Sequence, residues 1–198
     1  RDDVESRGLG DVYKRQDMLT GVYNRTGMYR EIGKMHGKSV ALMFIDLDNF
    51  KPYNDTYGHD AGDIVLQGMS KLFCDVIGDK GFVSRFGGDE FIIILKTRDK
   101  KELEDLAKQI YAGIEASNGF VKEIQARLNQ NIEMDESKKI GCSMGISVTD
   151  SLNEQSVDEM LRQADELLYT IKKGKKGTYA FICCLLYTSP SPRDSTSS

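Results

Sequence analysis

Tryptophan is missing from this chain of 198 residues, and histidine, proline and cysteine are rare, at two, three and four copies. The cysteines have none of the paired spacings typical of zinc sites, which argues against a structural zinc domain. No apolar run approaches the roughly 20 residues that a bilayer-spanning helix requires. What remains is the composition of a globular protein, with 39% apolar and 29% charged residues.

Net charge and the positions of the cysteines indicate the class of partner and the cellular compartment. The formal net charge of −4 argues against a surface that coats nucleic acid, so no nucleic-acid partner is predicted. Cys74 and Cys142 lie within apolar runs and are predicted to be reduced core residues, as in a reducing cytosol. We therefore predict a cytoplasmic domain, and whether its parent protein is anchored in a membrane stays open.

The two ends of the chain are related at the DNA level. Residues 6–16 read SRGLGDVYKRQ, and the reverse complement of one back-translation of them, read out of frame, encodes residues 184–193. This inverted repeat resembles the adapter DNA of transposon-based sequencing libraries. We predict that residues 1–16 and 184–198 are non-native tails. Residues 17–183 would then be one domain, cut from a longer protein.

Hydrophobic patterning predicts a mixture of strands and helices. Strand-like segments are Val40–Ile45, the hairpin at 82–95, Ile140–Val148 and a closing edge strand at 178–182. Helix-like segments are a short one capped by Thr26, residues 63–76, residues 100–116, and one opened by a capping box at Ser156–Glu159. Residues 49–60 read as a loop, and residues 117–139 are ambiguous. The fold class is α/β or α+β with one mixed sheet.

The segment Arg85–Phe91, RFGGDEF, carries the clearest chemistry. Its two glycines predict a tight hairpin turn in which glycine adopts a positive φ. Two carboxylates follow the turn, and Asp46 ends the first strand, so neighbouring strands would bring these acids to one edge of the sheet. Oxygen ligands without histidine or cysteine suit Mg²⁺ or Mn²⁺. On spacing alone, solvated acids at strand ends remain an equal alternative.

Lysines and amides supply candidate substrate contacts. Lys51 follows the first acidic strand, and a lysine-rich segment from Lys172 to Lys176 ends the last helix. Those lysines either bind phosphate or only complement the helix dipole. Asn54 and Asp63 have the donor and acceptor groups that read a guanine edge, although by composition they belong to a loop.

Five motifs in order resemble the GGDEF family of bacterial diguanylate cyclases. They are DMLTGVYNR, FIDLDNFKPYNDTYGHDAGD, SRFGGDEF, CSMGIS and ADELLYTIK, and the likeness runs from residue 17 to about 181. The resemblance implies a nucleotidyl-cyclase-like palm, with a central, mainly antiparallel five-stranded sheet flanked by helices. It also implies that two GTP molecules condense to cyclic di-GMP and two pyrophosphates across a homodimer of domains.

The resemblance assigns roles residue by residue. It implies that Asp46, the Leu47 carbonyl and Asp89 bind Mg²⁺ or Mn²⁺, and that Asp89 and Glu90 are catalytic. The substrate contacts that it implies are Lys51, Asn54, Asp63, Gly87, Gly88, Lys172 and Lys176. Lys176 is the least regular of these, because the segment GKKG departs from the commoner G-[R/K]-N.

Regulation and activity leave alternatives. Many family members carry an R-x-x-D site for product inhibition, but residues 78–81 read GDKG, so no inhibition through that site is expected. An upstream sensory or receiver domain is expected in the parent protein. Besides an active cyclase, a non-catalytic GTP-binding regulatory domain and a cyclase with a different cyclic product stay open.

Overall fold

The computed structural model describes residues 10–174, 176–177 and 179–183, with the backbone alone for residues 181–183. Most of the two predicted non-native tails, residues 1–9 and 184–198, lies outside these ranges. The remainder of the first tail contacts the domain, because Gln16 forms a β-bridge with Tyr23. The boundary at residue 17 therefore stays a prediction.

Five strands form one sheet in the order β2-β3-β1-β4-β5. The strands are β1 Val40–Asp48, β2 Gly81–Arg85, β3 Glu90–Leu95, β4 Gly141–Thr149 and β5 Tyr179–Cys183. All neighbours are antiparallel except β4 and β5, which are parallel. The apolar run that predicted a buried central strand is β1, and the predicted edge strand is β5.

Helices cover both faces of this sheet. They are α1 Arg25–Gly33, α2 Phe50–Tyr57, α3 His59–Ile77, α4 Lys100–Ser117, α5 Val121–Leu128 and α6 Glu154–Lys173. Buried side chains of α3, α4 and α5 pack on one face, and those of α1 and α6 pack on the other. This arrangement confirms the predicted class, an α+β domain with a mainly antiparallel five-stranded sheet flanked by helices.

Alternation along β1 decides which face carries the polar strand end. Met43 and Ile45 belong to the α3/α4/α5 core, whereas Leu42 and Phe44 belong to the α1/α6 core. Because side chains alternate with a period of two, the side chains at positions 46 and 48 continue the α1/α6 face. The last helix, α6, therefore lies over the acids that end β1.

Small residues on β4 let α6 approach the sheet closely. An added Cβ at Gly145 would fall inside the 3.0 Å limit for real contacts, against the backbone carbonyl of Ala164. Two positions along the strand, the buried Ser147 hydroxyl donates to the Met160 carbonyl of α6 at 3.0 Å. The close approach of α6 brings Lys172, in its last turn, to the end of β1.

Three local predictions were wrong. Asn24, not Thr26, caps α1, and its side chain accepts from the Gly27 amide at 2.9 Å. The capping box of α6 pairs Asn153 with Ser156, so the N-cap of this helix lies three residues before the predicted one, Ser156. Most of the predicted loop at 49–60 is helical. Its helix, α2, was not predicted, because Tyr53 is its one buried residue and a single buried position gives no helical repeat.

Two further outcomes concern the ambiguous segment and the cysteines. Residues 121–128 form α5, which settles part of the ambiguous stretch as helix. Cys142 is buried as predicted, but Cys74 is exposed, because it lies on the outer side of α3. No helix in the described part of the chain has both the length and the apolar content to cross a membrane.

Candidate active site

Three carboxylates meet at the edge formed by β1 and β3, as the sequence predicted. Asp46 lies directly opposite Glu90 in the antiparallel register. The Leu47 amide donates to the Asp89 carbonyl at 3.1 Å, which brings the residue after the glycine turn alongside β1. The structure thus joins positions 46, 47, 89 and 90, which are 40 residues apart in sequence. Their chemical roles remain predictions.

The glycine turn differs from its predicted conformation. Neither Gly87 nor Gly88 has a positive φ, so left-handed backbone is not the reason for glycine here. At Gly87 an added Cβ would lie 2.8 Å from Glu90 Oε2, the end of a flexible side chain, so the carboxylate would have to shift. Nothing lies within 4 Å of a Cβ at Gly88, so that position faces open space. Glycine at position 87 therefore leaves free the space that the Glu90 carboxylate occupies.

Two arginines fasten this turn from outside. Arg85 donates to the Gly88 carbonyl at 2.9 and 3.1 Å and pairs with Asp17 at 3.2 Å. Arg25 donates to the Phe86 carbonyl at 2.7 Å, and its guanidinium stacks over the Phe86 ring. The DMLT and NR segments of the first motif thus support the turn of the signature motif.

Asp17 carries a shifted pKa as a result of these contacts. Partial burial tends to raise the pKa of Asp17. Hydrogen bonds from the Thr20 hydroxyl and amide, together with the Arg85 guanidinium, outweigh burial and hold this pKa below its ordinary value. The folded protein therefore favours the ionised form of Asp17.

The acids at the sheet edge carry the opposite shift. Burial raises the pKa of Asp46, and the nearby charges of Asp89 and Asp48 raise it further, against the opposing effect of Lys172. Burial likewise raises the pKa of Glu90, with the charges of Asp46 and Asp89 as further causes. Carboxylates crowded in this way are ionised at a cost unless a cation joins them.

One cation already touches the cluster. Lys172 Nζ lies 2.8 Å from Asp46 Oδ2, at the end of α6. The other carboxylate oxygen, Asp46 Oδ1, is buried and has no hydrogen-bond partner among the residues that the structure describes. A buried carboxylate oxygen without a partner is unfavourable, and Mg²⁺ or Mn²⁺ is the kind of ligand that would satisfy it.

The donor set at this edge fits a hard cation. Asp46, Asp89 and the Leu47 carbonyl would hold the ion through oxygen atoms alone. Within the described residues, no group of three or more His, Cys, Asp or Glu side chains is arranged to hold a metal. Magnesium usually takes only one or two carboxylates and completes its shell with water and substrate phosphates, so two carboxylates suffice.

Grooves flank the acidic edge on both sides. Asp46 and Lys172 line a groove of about 460 Å³ along the last turns of α6. On the other side of the turn, Gly87 and Gly88 line an open groove of about 450 Å³. A nucleotide triphosphate therefore has room beside the glycine turn and the lysine.

The predicted phosphate-binding lysines differ in how closely they approach the acids. Lys172 contacts the acidic cluster directly. Lys51 is exposed on the first turn of α2, and Lys176 is exposed in the segment after α6. The structure thus brings one of the three to the carboxylates, and the roles of all three in substrate binding remain predictions.

The two predicted guanine readers lie on the adjoining helices α2 and α3. Asn54 packs on Gly62, where any Cβ would overlap the amide oxygen, and this oxygen is buried with no hydrogen-bond partner among the described residues. Asp63 is exposed and lines a cavity of about 260 Å³ with Gln67 and Arg127. The amide of Asn54 in α2 and the carboxylate of Asp63 near the start of α3 are the kinds of group that recognise a polar base edge.

Sequence reasoning missed several residues around these sites. Arg127 donates to Gln67 Oε1 at 2.6 Å, and Gln67 donates to the Leu19 carbonyl at 3.1 Å, beside Asp63. The signal for Arg127 was lost because it lies in the stretch that seemed ambiguous. Asp48, which looked like a solvated acid, is 5% exposed, and only its spacing of two from Asp46 hinted at a shared face.

The sheet order defines an α+β domain with a mainly antiparallel five-stranded sheet, and acids lie at one edge of that sheet. The chain belongs to the GGDEF-domain family, because its sequence matches the family described as "Diguanylate cyclase, GGDEF domain" over residues 14–178. This match confirms the resemblance that the five motifs indicated.

Named relatives include both cyclases and phosphodiesterases. The chain is 32% identical over 163 residues to diguanylate cyclase DosC of Escherichia coli K12, covering 79% of this chain and 33% of DosC. It is 31% identical over 165 residues to the cyclic di-GMP phosphodiesterase NbdA of Pseudomonas aeruginosa, covering 80% of this chain and 19% of NbdA. The chain thus spans about half or less of the length of the curated relatives it matches.

Solved structures share the fold. Diguanylate cyclase SiaD of Pseudomonas aeruginosa, in complex with its activator SiaC, matches with a TM-score of 0.68 at 22% identity, over 92% of this chain and 68% of that one. The coiled coil and GGDEF domain of DgcB of Caulobacter crescentus, in complex with c-di-GMP, matches with a TM-score of 0.66 at 22% identity, over 90% of this chain and 91% of that one.

Proposed function

We propose that this domain is a diguanylate cyclase that condenses two GTP molecules into cyclic di-GMP and two pyrophosphates. The supporting observation is the buried Asp46 Oδ1, which has no partner in the described part of the chain and lies in a cluster with Asp89 and Glu90. Like charges gathered at a buried edge are unfavourable unless the site serves a cation. DosC, a relative at 32% identity, bears the name of this activity.

The ion would be Mg²⁺ or Mn²⁺, held by Asp46, the Leu47 carbonyl and Asp89. When bound, such an ion supplies positive charge that polarises hydroxyl and phosphoryl oxygens. Lys172 would bind the phosphates, since its ammonium already lies at the mouth of the groove beside the acids. Lys51 and Lys176 would add phosphate contacts from the flanking segments.

Glu90 is well placed to hold a proton during the reaction. Its pKa is raised by burial and by the neighbouring acids, and a carboxylate with a raised pKa is a better proton acceptor near neutral pH. The proton of an attacking 3′-hydroxyl would pass to Glu90 or to Asp89. The glycine turn, with open space at Gly88, would let phosphate approach the backbone.

Guanine specificity would come from Asn54 and Asp63. The buried Asn54 oxygen has no partner within residues 10–174, 176–177 and 179–183, and Asp63 lies at the rim of a neighbouring cavity. A carboxylate accepts from guanine N1–H and N2–H₂, whereas adenine lacks this donor pair. Chromatography of the products from GTP alone and from GTP with ATP tests this choice, and a mixed dinucleotide would contradict it.

Each domain holds one nucleotide, so the reaction requires two domains face to face. We propose that the homodimer forms in the cytoplasm under the control of an upstream sensory or receiver domain. Because two domains must meet, the rate per domain should rise with protein concentration. A rate per domain that stays constant over a hundredfold dilution would contradict dimer catalysis.

A non-catalytic GTP-binding regulatory domain is the second candidate. It is favoured by the match to NbdA, which is named a phosphodiesterase although its matching region is similar to this chain. The two candidates differ in a simple assay: a regulatory domain binds GTP without releasing pyrophosphate.

The decisive assay follows cyclic di-GMP and pyrophosphate with GTP and Mg²⁺ at rising protein concentration. Asp89→Asn and Glu90→Gln should each abolish product at unchanged circular dichroism. Asp105→Asn, which changes an exposed acid on α4, is the matched control and should keep full activity. Product formation by Asp89→Asn at the wild-type rate would overturn the proposed role of the acids.

A further inference from the structure

The last residue of β1 is a buried acid that contacts three separate elements. Asp48 is 5% exposed and accepts from the Ser143 hydroxyl of β4 at 2.9 and 3.0 Å. Its Oδ2 also accepts from the Gly177 amide at 3.1 Å, in the segment that follows α6. Lys172 Nζ, at the end of α6, lies 3.7 Å from its Oδ1.

These contacts satisfy both carboxylate oxygens of Asp48, in contrast to Asp46. A buried carboxylate persists only where hydrogen bonds and a cation compensate it, and here each oxygen has a partner. Ser143 contributes twice, because its hydroxyl oxygen lies 3.3 Å from the Gly177 amide as well. Asp48 is therefore built as an internal anchor, with no free oxygen facing the groove.

Lys172 is shared between the two acids, and their distances differ. It lies 2.8 Å from Asp46 Oδ2 and 3.7 Å from Asp48 Oδ1. A cation bound at Asp46 would weaken the attraction of that carboxylate for the ammonium group. The charge of Asp48 would then keep Lys172 beside the groove, because this carboxylate is not available to the ion.

We propose that Asp48 and Ser143 are positioning residues for the triphosphate of the nucleotide. The pair holds Lys172 at the acidic edge and fixes the amide of Gly177, the residue after Lys176. Lys172, in the last turn of α6, and Lys176, in the segment after it, are then presented from a fixed backbone. This inference rests on the proposed function, and it assigns the second acid of the FIDLD segment a task distinct from ion binding.

The chain provides a matched control on the same strand. Ser147 is fully buried like Ser143 and lies four residues further along β4, but its hydroxyl donates to a backbone oxygen, the Met160 carbonyl. Removal of either hydroxyl leaves one buried acceptor short of a donor. Ser143→Ala and Ser147→Ala should therefore lower the melting temperature by similar amounts, and only the first should affect nucleotide binding.

Calorimetry with 3′-deoxy-GTP and Mg²⁺ measures this effect without turnover, since that nucleotide lacks the attacking hydroxyl. Ser143→Ala should bind it about three- to tenfold more weakly than wild type, as expected for one lost hydrogen bond in the network. Asp48→Asn should lose about tenfold or more, because its amide would place a donor against the Lys172 ammonium. Ser147→Ala should stay within about twofold of wild type. Binding of GMP, which lacks the β and γ phosphates, should be unchanged in all three variants.

The outcomes separate this inference from the function on which it rests. If wild type fails to bind 3′-deoxy-GTP, the proposed function fails and the positioning role fails with it. If wild type binds but Ser143→Ala matches Ser147→Ala, the positioning role alone is wrong. If Asp48→Asn does not fold, Ser143→Ala decides the question. An equal loss of GMP and 3′-deoxy-GTP binding would likewise overturn a role at the triphosphate.

Discussion

Replacement of Gly145 by alanine tests how closely α6 must approach the sheet. The added methyl group would overlap the Ala164 carbonyl oxygen, lie 3.0 Å from its carbonyl carbon and lie 3.2 Å from Leu167 Cβ. The first two atoms are backbone, so no rotamer change can relieve the overlap. The helix must move outward, by about 1 Å if ordinary van der Waals contact is to be restored.

The cost has two parts. Overpacking of this kind typically costs about 1–3 kcal/mol. An outward movement also stretches the Ser147–Met160 hydrogen bond and the Lys172–Asp46 ion pair, which measure 3.0 and 2.8 Å. About 1 kcal/mol for each such contact brings the total to roughly 3–5 kcal/mol. That is a large share of the roughly 5–15 kcal/mol that keeps a typical domain folded.

Urea denaturation followed by circular dichroism measures the loss of unfolding free energy. Gly33→Ala is the control, because this α1 residue lies on the same side of the sheet and a Cβ there meets nothing within 4 Å. That variant should match wild type or gain up to about 1 kcal/mol, since alanine favours helix. A Gly145→Ala protein within about 1 kcal/mol of wild type would refute the close-approach argument.

Two further predictions concern the turn and its supports, and a third concerns inhibition by the product. Asp17→Asn should cost about 1–2 kcal/mol of unfolding free energy at pH 7. Since the pKa of Asp17 is lowered on folding, its contribution exists above the ordinary value of 3.8 and is lost as the pH falls through the folded value. Wild type and variant should therefore converge in acid urea titrations, and a gap that widens below pH 4 would contradict the ion pair. Gly87→Ala should reduce kcat by displacing the Glu90 carboxylate. Gly88→Ala should leave the melting temperature unchanged. If the two variants changed the melting temperature equally, the space argument would be contradicted. Positions 78 and 81, where the usual inhibitory site has arginine and aspartate, are both glycine. Cyclic di-GMP should therefore inhibit only in competition with GTP. Non-competitive inhibition in initial-rate kinetics would contradict this.

Periodicity predicted the parts of the fold whose residues bury a regular stripe. The central strand β1, the hairpin and helix α4 were predicted to within about one to three residues, because each carries an uninterrupted apolar pattern. Helix α2 was missed for the opposite reason, since an eight-residue helix with one buried side chain leaves no repeat to detect. The capping residues were misplaced because Asn, Ser and Thr compete for the same position.

The candidate site was predictable where the type of residue determines the chemistry. It was not predictable where the chemistry depends on which residues the fold brings together. Acids that follow two strands suggested a shared edge, and the register of Asp46 with Glu90 provides it. Residue type and spacing alone did not distinguish Asp46 from Asp48, since both are acids on one face of one strand. Their difference arises from β4, whose Ser143 faces the second acid, and from the segment after α6, which donates the Gly177 amide.

The small residues of β4 connect the fold to the chemistry through two separable effects. Gly145 sets the distance of α6 from the sheet, whereas Ser143 sets the environment of Asp48 at the end of that helix. Loss of the first should reduce both stability and triphosphate affinity, because the whole helix moves. Loss of the second should reduce affinity beyond what the Ser147 control shows at the same stability. If both variants lost affinity only in proportion to stability, α6 would act as a packing element and its lysines would need no anchor.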